Sequence, residues 1–244
     1  MKKKNFLAIA CALLLGSVLT PLRAQESGDW SMTIGADAVS SYLWRGLELG
    51  GPSIQPSVYF DYEKGDWAVS MGVWGTKSLD DTYDELDLSL EASWRNLTFT
   101  LLDYGEDYST PWNEGHYLDL GLSYALDGGL TFSWYSIVNQ LGEGLLDGGP
   151  GFDWASAFPS YFEVAYDFSL SVVDFTATVG VFPFASEYYG AESYGLCNMS
   201  LVAGHEFEFE HGGSLPISAQ VMYNPLQKTA FWGVSVGYYF SMDF

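Results

Sequence analysis

"TAFWGVSVGYYFSMDF", residues 229–244, alternates without interruption from Trp232 onward. Trp232, Val234, Val236, Tyr238, Phe240, Met242 and Phe244 share one parity, and Gly233, Ser235, Gly237, Tyr239, Ser241 and Asp243 the other. A period of two belongs to a strand, whose successive side chains point to opposite faces. One face is greasy and the other is mostly small or polar, so the two meet different media.

The same alternation recurs upstream. In "SIQPSVYFDY", residues 53–62, Ile54, Pro56, Val58, Phe60 and Tyr62 oppose Ser53, Gln55, Ser57, Tyr59 and Asp61. "ELDLSLEASW" (85–94), "HYLDLGLSYAL" (116–126) and "YFEVAYDF" (161–168) repeat it. Strands are expected at 30–44, 53–62, 67–77, 85–94, 97–104, 116–126, 130–139, 160–168, 173–184, 196–209, 215–223 and 229–243, about twelve in all.

The connections choose between a soluble sandwich and a membrane barrel. Every second one is a tight turn, at 63–66, 95–96, 127–129, 169–172 and 211–214, whereas those at 45–52, 78–85, 105–115, 140–159 and 185–195 are longer. Sorting by parity is the habit of outer-membrane barrels, with short periplasmic turns and long extracellular loops. Carboxylates recur at inward positions, and burying them unpaired in a sandwich core would cost several kcal/mol each, a cost of roughly the same size for every acid. A water-lined lumen removes that cost, and closure satisfies the edge strands. The expected fold is therefore all-β: a closed antiparallel transmembrane barrel of about twelve strands over residues 25–244. Trp30, Trp44, Trp67, Trp94, Trp134 and Trp232 lie near strand ends on outward parity, as interfacial girdles require.

Residues 1–24, with Lys2, Lys3 and Lys4 before an apolar run from Phe6 to Leu19, read as a cleaved signal peptide. Its removal takes away four basic residues and moves the net charge from −22 to −26. So acidic a chain excludes nucleic acid and anionic surfaces as partners, both of which need basic patches. A hydrophobic share of 48% with 17% aromatic residues nevertheless specifies a folded chain. Only Cys197 remains beyond residue 24, so neither an internal disulfide nor a cysteine metal cluster is expected, and no cofactor motif is present.

Residues 40–76, "SSYLWRGLELGGPSIQPSVYFDYEKGDWAVSMGVWGT", carry a more specific signal. Tyr42, Arg45 and Gly46, then Pro52 and Gln55, then Gly72, Trp74 and Gly75, resemble the opening of the TorF-type porin family of Gram-negative outer membranes. The resemblance is close over about the first three strands and implies a porin-like barrel. Beyond them only the barrel pattern and Phe244 continue it. The last strand, with Tyr238, Phe240 and Phe244 on one face, is similar to the signal read by the barrel-insertion machinery.

Inward Asp37, Asp61, Asp87, Glu91, Asp119, Glu163, Asp167 and Asp174, with Glu206 and Glu208, would give the lumen a negative potential favouring cations. Arg45, at the mouth of the first long loop, would be the counter-charge, gripping an anionic group or pairing with Asp37 or Asp61. The Gly-rich segment 141–159 would either fold inward as a constriction or stand in the medium. Trp112, Phe152, Trp154, Tyr188, Tyr189 and Tyr194 are candidates to stack on sugars or lipopolysaccharide, and the acids at 80–85 with Asp147 and Asp153 lack EF-hand spacing. The expected role is passive diffusion of small hydrophilic, cationic or neutral solutes, with outer-membrane lipids around the barrel. Two alternatives stand beside it: a closed structural or binding barrel, and an enzyme using His116. No Gly-x-Ser-x-Gly elbow accompanies that histidine, so no catalytic role is expected.

Overall fold

The computed structural model describes residues 28–105, 115–139, 158–209 and 213–244. Every regular element among them is a strand. They are β1 (Asp29–Val39), β2 (Tyr42–Trp44), β3 (Leu47–Gly50), β4 (Ser53–Lys64), β5 (Trp67–Ser78), β6 (Asp84–Trp94), β7 (Leu97–Gly105), β8 (His116–Ala125), β9 (Leu130–Ile137), β10 (Ser160–Leu170), β11 (Val173–Phe182), β12 (Gly195–Phe209), β13 (Gly213–Asn224) and β14 (Thr229–Asp243). Twelve of them close into one antiparallel barrel in the order β1-β14-β13-β12-β11-β10-β9-β8-β7-β6-β5-β4. Closure runs from Ser31 opposite Asp243 to Val39 opposite Ser235, and the Phe244 amide donates to the Trp30 carbonyl at 2.9 Å.

The alternating pattern maps onto the wall as the sequence requires. Phe60, Leu88, Leu122, Phe162 and Val236 are exposed on the outer face, while Asp37, Ser57, Asp87, Ser123, Glu163 and Ser235 are buried inside. Aromatic rings crowd the outer face near the short turns: Trp30 against Tyr62 at 4.8 Å, Trp67 against Trp94 at 6.2 Å and Phe168 stacked on Phe175 at 5.1 Å. The tight turns use left-handed residues, Gly65 at φ 64° and Arg95 at φ 55°, because two-residue hairpins need positive φ to match strand twist.

Inside the barrel, tyrosines lie against glycines. A Cβ on Gly72 would sit 2.3 Å from the Tyr59 ring, on Gly35 2.1 Å from Tyr239, and on Gly180 2.2 Å from the Tyr161 hydroxyl. Tyr59 faces Gly72 in register, as Tyr239 faces Gly35. A bulky ring laid over a bare backbone covers the wall without projecting across the lumen, a close approach only glycine permits.

The first segment departs from the expected strand at 30–44. β1 ends at Val39, and residues 42–50 form a separate two-stranded hairpin, β2 with β3, in which Trp44 pairs with Leu47. Trp44 is thus not an outward girdle residue, and 45–52 is not a loop standing in the medium. The physical reason is the turn. Arg45 at φ 44° and Gly46 at φ 89° both occupy the left-handed region, which reverses the chain in two residues and folds it back into the barrel. The other expected strands form with ends shifted by a few residues. The expected signal segment 1–24 and most of the segment 141–159 lie outside the described residues, as do Trp112, Asp147, Phe152, Asp153 and Trp154.

Candidate functional site

The hairpin decides what the lumen offers. In a ring of twelve strands β9 stands six places from β1, diametrically opposite it. The hairpin leaves the end of β1, and at its tip the Arg45 guanidinium lies 4.1 Å from the Tyr135 ring of β9. It therefore crosses the lumen at the long-loop end. Its root packs on the near wall, with Tyr42 5.3 Å from Trp74 and 5.9 Å from Tyr83. Its turn sits on β12 and β13: a Cβ on Gly46 would come 2.2 Å from the Cys197 carbonyl oxygen, and Asn224 Nδ2 donates to the Gly46 carbonyl at 3.0 Å.

Arg45 is 8% exposed and closely enclosed. Its Nη2 lies 2.7 Å from Asp119 Oδ2, and its Nη1 donates to the Tyr189 hydroxyl at 2.9 Å. The guanidinium also faces the Trp44 ring at 4.7 Å and the Tyr161 ring at 5.3 Å. The Tyr104 hydroxyl donates to the same Asp119 oxygen at 3.0 Å, and Asn198 Nδ2 donates to the Tyr161 hydroxyl at 2.9 Å. Buried Glu163 lies within electrostatic reach of the same cation. A planar cation between aromatic faces and carboxylates is held by stacking and by charge-assisted bonds together, which an ammonium cannot reproduce.

A second segment, 183–194, joins the hairpin inside. Ser186 and Ala191 exchange backbone hydrogen bonds of 2.8 Å around Gly190. That fold places Tyr189 on Phe182 at 4.4 Å, and sets Tyr188 6.2 Å from Trp44 and 4.9 Å from Tyr117. Burial pushes the phenols of both tyrosines well above their ordinary range, which keeps them neutral beside the ion pair. Tyr188 and Tyr189, expected as surface rings for sugars or lipopolysaccharide, are therefore lumen packing. Tyr194 alone of the described set stays exposed, at 76%.

The inward acids fall into two tiers. Near the long-loop end, Asp119 holds Arg45, and Asp87 lies buried beside Glu85, whose Oε2 accepts from the Tyr83 hydroxyl at 3.0 Å. Further down, hydroxyls rather than cations face the carboxylates. Thr176 Oγ1 donates to Asp167 at 2.5 Å and Ser169 Oγ donates to Asp174 at 2.5 Å; Asp37, near the long-loop end of β1, likewise accepts from Ser235 Oγ at 3.1 Å with the Tyr239 hydroxyl beside it. Asp61 faces Ser70 in register, and Glu91 faces Ser70 and Thr100. Arg45 pairs with neither Asp37 nor Asp61. The hairpin carries it across to the opposite wall, beyond reach of the near-wall acids that strand parity alone suggested.

His116 is buried at the rim, its Nδ1 3.1 Å from both oxygens of Asp103. His116 and Asp103 lie on the outward parity of their strands, away from Asp119. At the end of β5, Lys77 bridges Asp81 of the following loop at 2.7 Å and Asp84 of β6 at 2.6 Å. Among the described residues no cluster of three or more histidines, cysteines or carboxylates is placed to hold a metal ion. The sequence reading missed Tyr104, Tyr135, Tyr161 and Asn198 as site residues. Inward parity on their strands, with Tyr104 opposite Tyr117 and Tyr135 opposite Gly121 and Tyr161, is the signal that marks the tyrosines.

No family model matches the sequence, and no curated protein matches it. Solved structures match it at low identity. The NanC porin is 9% identical with a TM-score of 0.43, over 86% of this chain and 98% of that one. An outer membrane channel from Pseudomonas putida F1 is 7% identical with a TM-score of 0.45, over 94% and 100%. A mutant porin of Rh. blastica is 8% identical with a TM-score of 0.32, over 88% and 99%. At such identities and scores the likeness says nothing of what this barrel carries.

Proposed function

We propose that the chain is an outer-membrane channel of the porin kind in a Gram-negative bacterium, passing small hydrophilic solutes and preferring cations. The observation that carries this reading is the wall itself: exposed apolar side chains outside, and carboxylates and hydroxyls inside. A lipid-facing exterior with a polar lumen gives each face the medium that suits it. Asp37, Asp61, Glu91, Glu163, Asp167 and Asp174 set a negative field along the path, while Asp87 and Asp119 line the crossing. The short turns face the periplasm, residues 1–24 are removed on export, and Tyr238, Phe240 and Phe244 present the face read by the insertion machinery. The motif that resembles the TorF-type family gains a physical role here, since Tyr42, Arg45 and Gly46 build the hairpin and Trp74 supports its root.

The hairpin favours a second reading at rest, a barrel shut at its long-loop end, because its tip reaches the far wall. Conductance in a planar bilayer under a salt gradient tests the proposal. A steady current with a cation-selective reversal potential supports it, and a folded barrel that never conducts leaves the closed binding barrel.

A further inference from the structure

We propose that the wall beneath the hairpin is a recognition site for solutes bearing a guanidinium group, and that Arg45 is its tethered occupant. The receptor half belongs to the far wall and owes nothing to the hairpin. Asp119 comes from β8, Tyr135 from β9, Tyr161 and Glu163 from β10, and Tyr104 from β7. All five are buried. Tyr135 and Tyr161 offer faces at 4.1 and 5.3 Å from the guanidinium carbon, and Asp119 offers a carboxylate at 2.7 Å.

The fit of Arg45 is incomplete. Asp119 Oδ2 accepts from the Tyr104 hydroxyl and forms an ion pair with Arg45 Nη2, while Nη2 and Asp119 Oδ1 are both buried with no hydrogen-bond partner. A guanidinium matches a carboxylate best through two parallel bonds, one to each oxygen. Arg45 is held short of that by its own backbone, with φ at 44° in a turn that Gly46 seats against the Cys197 carbonyl. A solute free of that tether can satisfy both oxygens. Arg45 is also the one basic side chain inside the barrel among the described residues, Lys64, Lys77, Arg95 and Lys228 being exposed. Stacking selects a planar delocalised cation over an ammonium. The tether gives Arg45 a high effective concentration, so it acts as a built-in competitor that an incoming solute must displace. This deepens the channel reading and rests on it only for passage, since binding is measurable without current.

The test uses the folded full chain carrying Cys11→Ser in detergent, titrated calorimetrically with N-methylguanidinium and with methylammonium at matched ionic strength. Arg45→Ala is expected to bind methylguanidinium saturably, at least about tenfold tighter than the unsubstituted barrel, whose tethered side chain competes. Methylammonium should bind at least about tenfold more weakly, lacking the planar stack. Adding Asp119→Asn should abolish binding. Without Arg45→Ala, methylguanidinium should speed alkylation of Cys197, the buried thiol under the hairpin turn. Should Arg45→Ala fail to show the heat-modifiable migration of a folded barrel, Arg45→Lys replaces it, with the same cation discrimination expected. Equal binding of the two cations, equal binding with and without Arg45, or no binding overturns the site. Absence of current with binding intact overturns only the channel.

Discussion

Arg45 Nη2 and Asp119 Oδ2 meet at 2.7 Å across the full width of the barrel, joining a hairpin rooted on β1 to the wall at β8. Both side chains are withdrawn from solvent, at 6% and 0% exposure. Removing one partner of such a pair leaves a buried charge uncompensated, which costs about 3–5 kcal/mol. Asp119→Ala should therefore unseat the hairpin while the barrel stays closed. The check is alkylation of Cys197, slow in the unsubstituted barrel and fast in the variant, with heat-modifiable migration unchanged.

Gly46→Ala attacks the same seat from the backbone. Its Cβ would lie 2.2 Å from the Cys197 carbonyl oxygen, and φ is 89°, so the turn cannot keep its place. Cys197 should become reactive although every charged partner of Arg45 remains. If Gly46→Ala protected the thiol as well as glycine does, the seating of the turn would be wrong.

The tyrosine-over-glycine lining predicts a reciprocal pair. Gly72→Ala places a methyl 2.3 Å from the Tyr59 ring and should destabilise the barrel by about 1–3 kcal/mol through overpacking. Adding Tyr59→Ser should recover part of that loss, since the methyl also lies 2.5 Å from Ser89 Oγ. Urea unfolding in lipid vesicles measures both variants and their combination, and simple additivity would contradict the contact.

Alkaline pH should release the packing of the 183–194 segment. Burial raises the phenols of Tyr188 and Tyr189 above their unfolded values, so the neutral forms favour the folded state. That stability is fully present below pH about 10, the ordinary tyrosine value, and is lost as pH climbs toward the folded values. Near-ultraviolet circular dichroism of the aromatic cluster should hold through neutrality and collapse together with the late rise of tyrosinate absorbance. A cluster unchanged after complete tyrosine ionisation would refute the assignment.

The lower tier of acids predicts the direction of ion preference. Neutralising Asp61, Glu91 and Asp167 together should move the reversal potential in a salt gradient toward that of an unselective pore, because it removes three of the carboxylates that face the lumen. An unmoved potential would place the selectivity elsewhere.

Much of this fold is written in residue parity. Leu86, Leu88 and Leu90 against Glu85, Asp87 and Ser89 mark a wall between two media, and so do Phe162, Val164 and Tyr166 against Glu163, Ala165 and Asp167. Parity failed at residues 42–50, where Tyr42, Leu43 and Trp44 prolong the apolar look of β1. The clue there is local: Ser40 and Ser41 break the alternation, and Arg45-Gly46 is a dipeptide that reverses the chain through two left-handed residues. Partner choice was illegible for a different reason. Parity says which acids face inward, but the hairpin's reach selects Asp119 over Asp37 or Asp61, and reach is a property of the folded turn. The paired tyrosines of 183–194 read as surface aromatics because only the packed lumen supplies Phe182 and Trp44 as neighbours.

The most direct test of a cation-preferring barrel throttled by its own hairpin is single-channel conductance of the unsubstituted protein beside a variant with residues 42–50 replaced by a short Gly-Ser link. The expected result is a larger, steadier, cation-selective step in the shortened variant. Equal conductance in both, or a shortened barrel that is folded and still closed, would contradict the account.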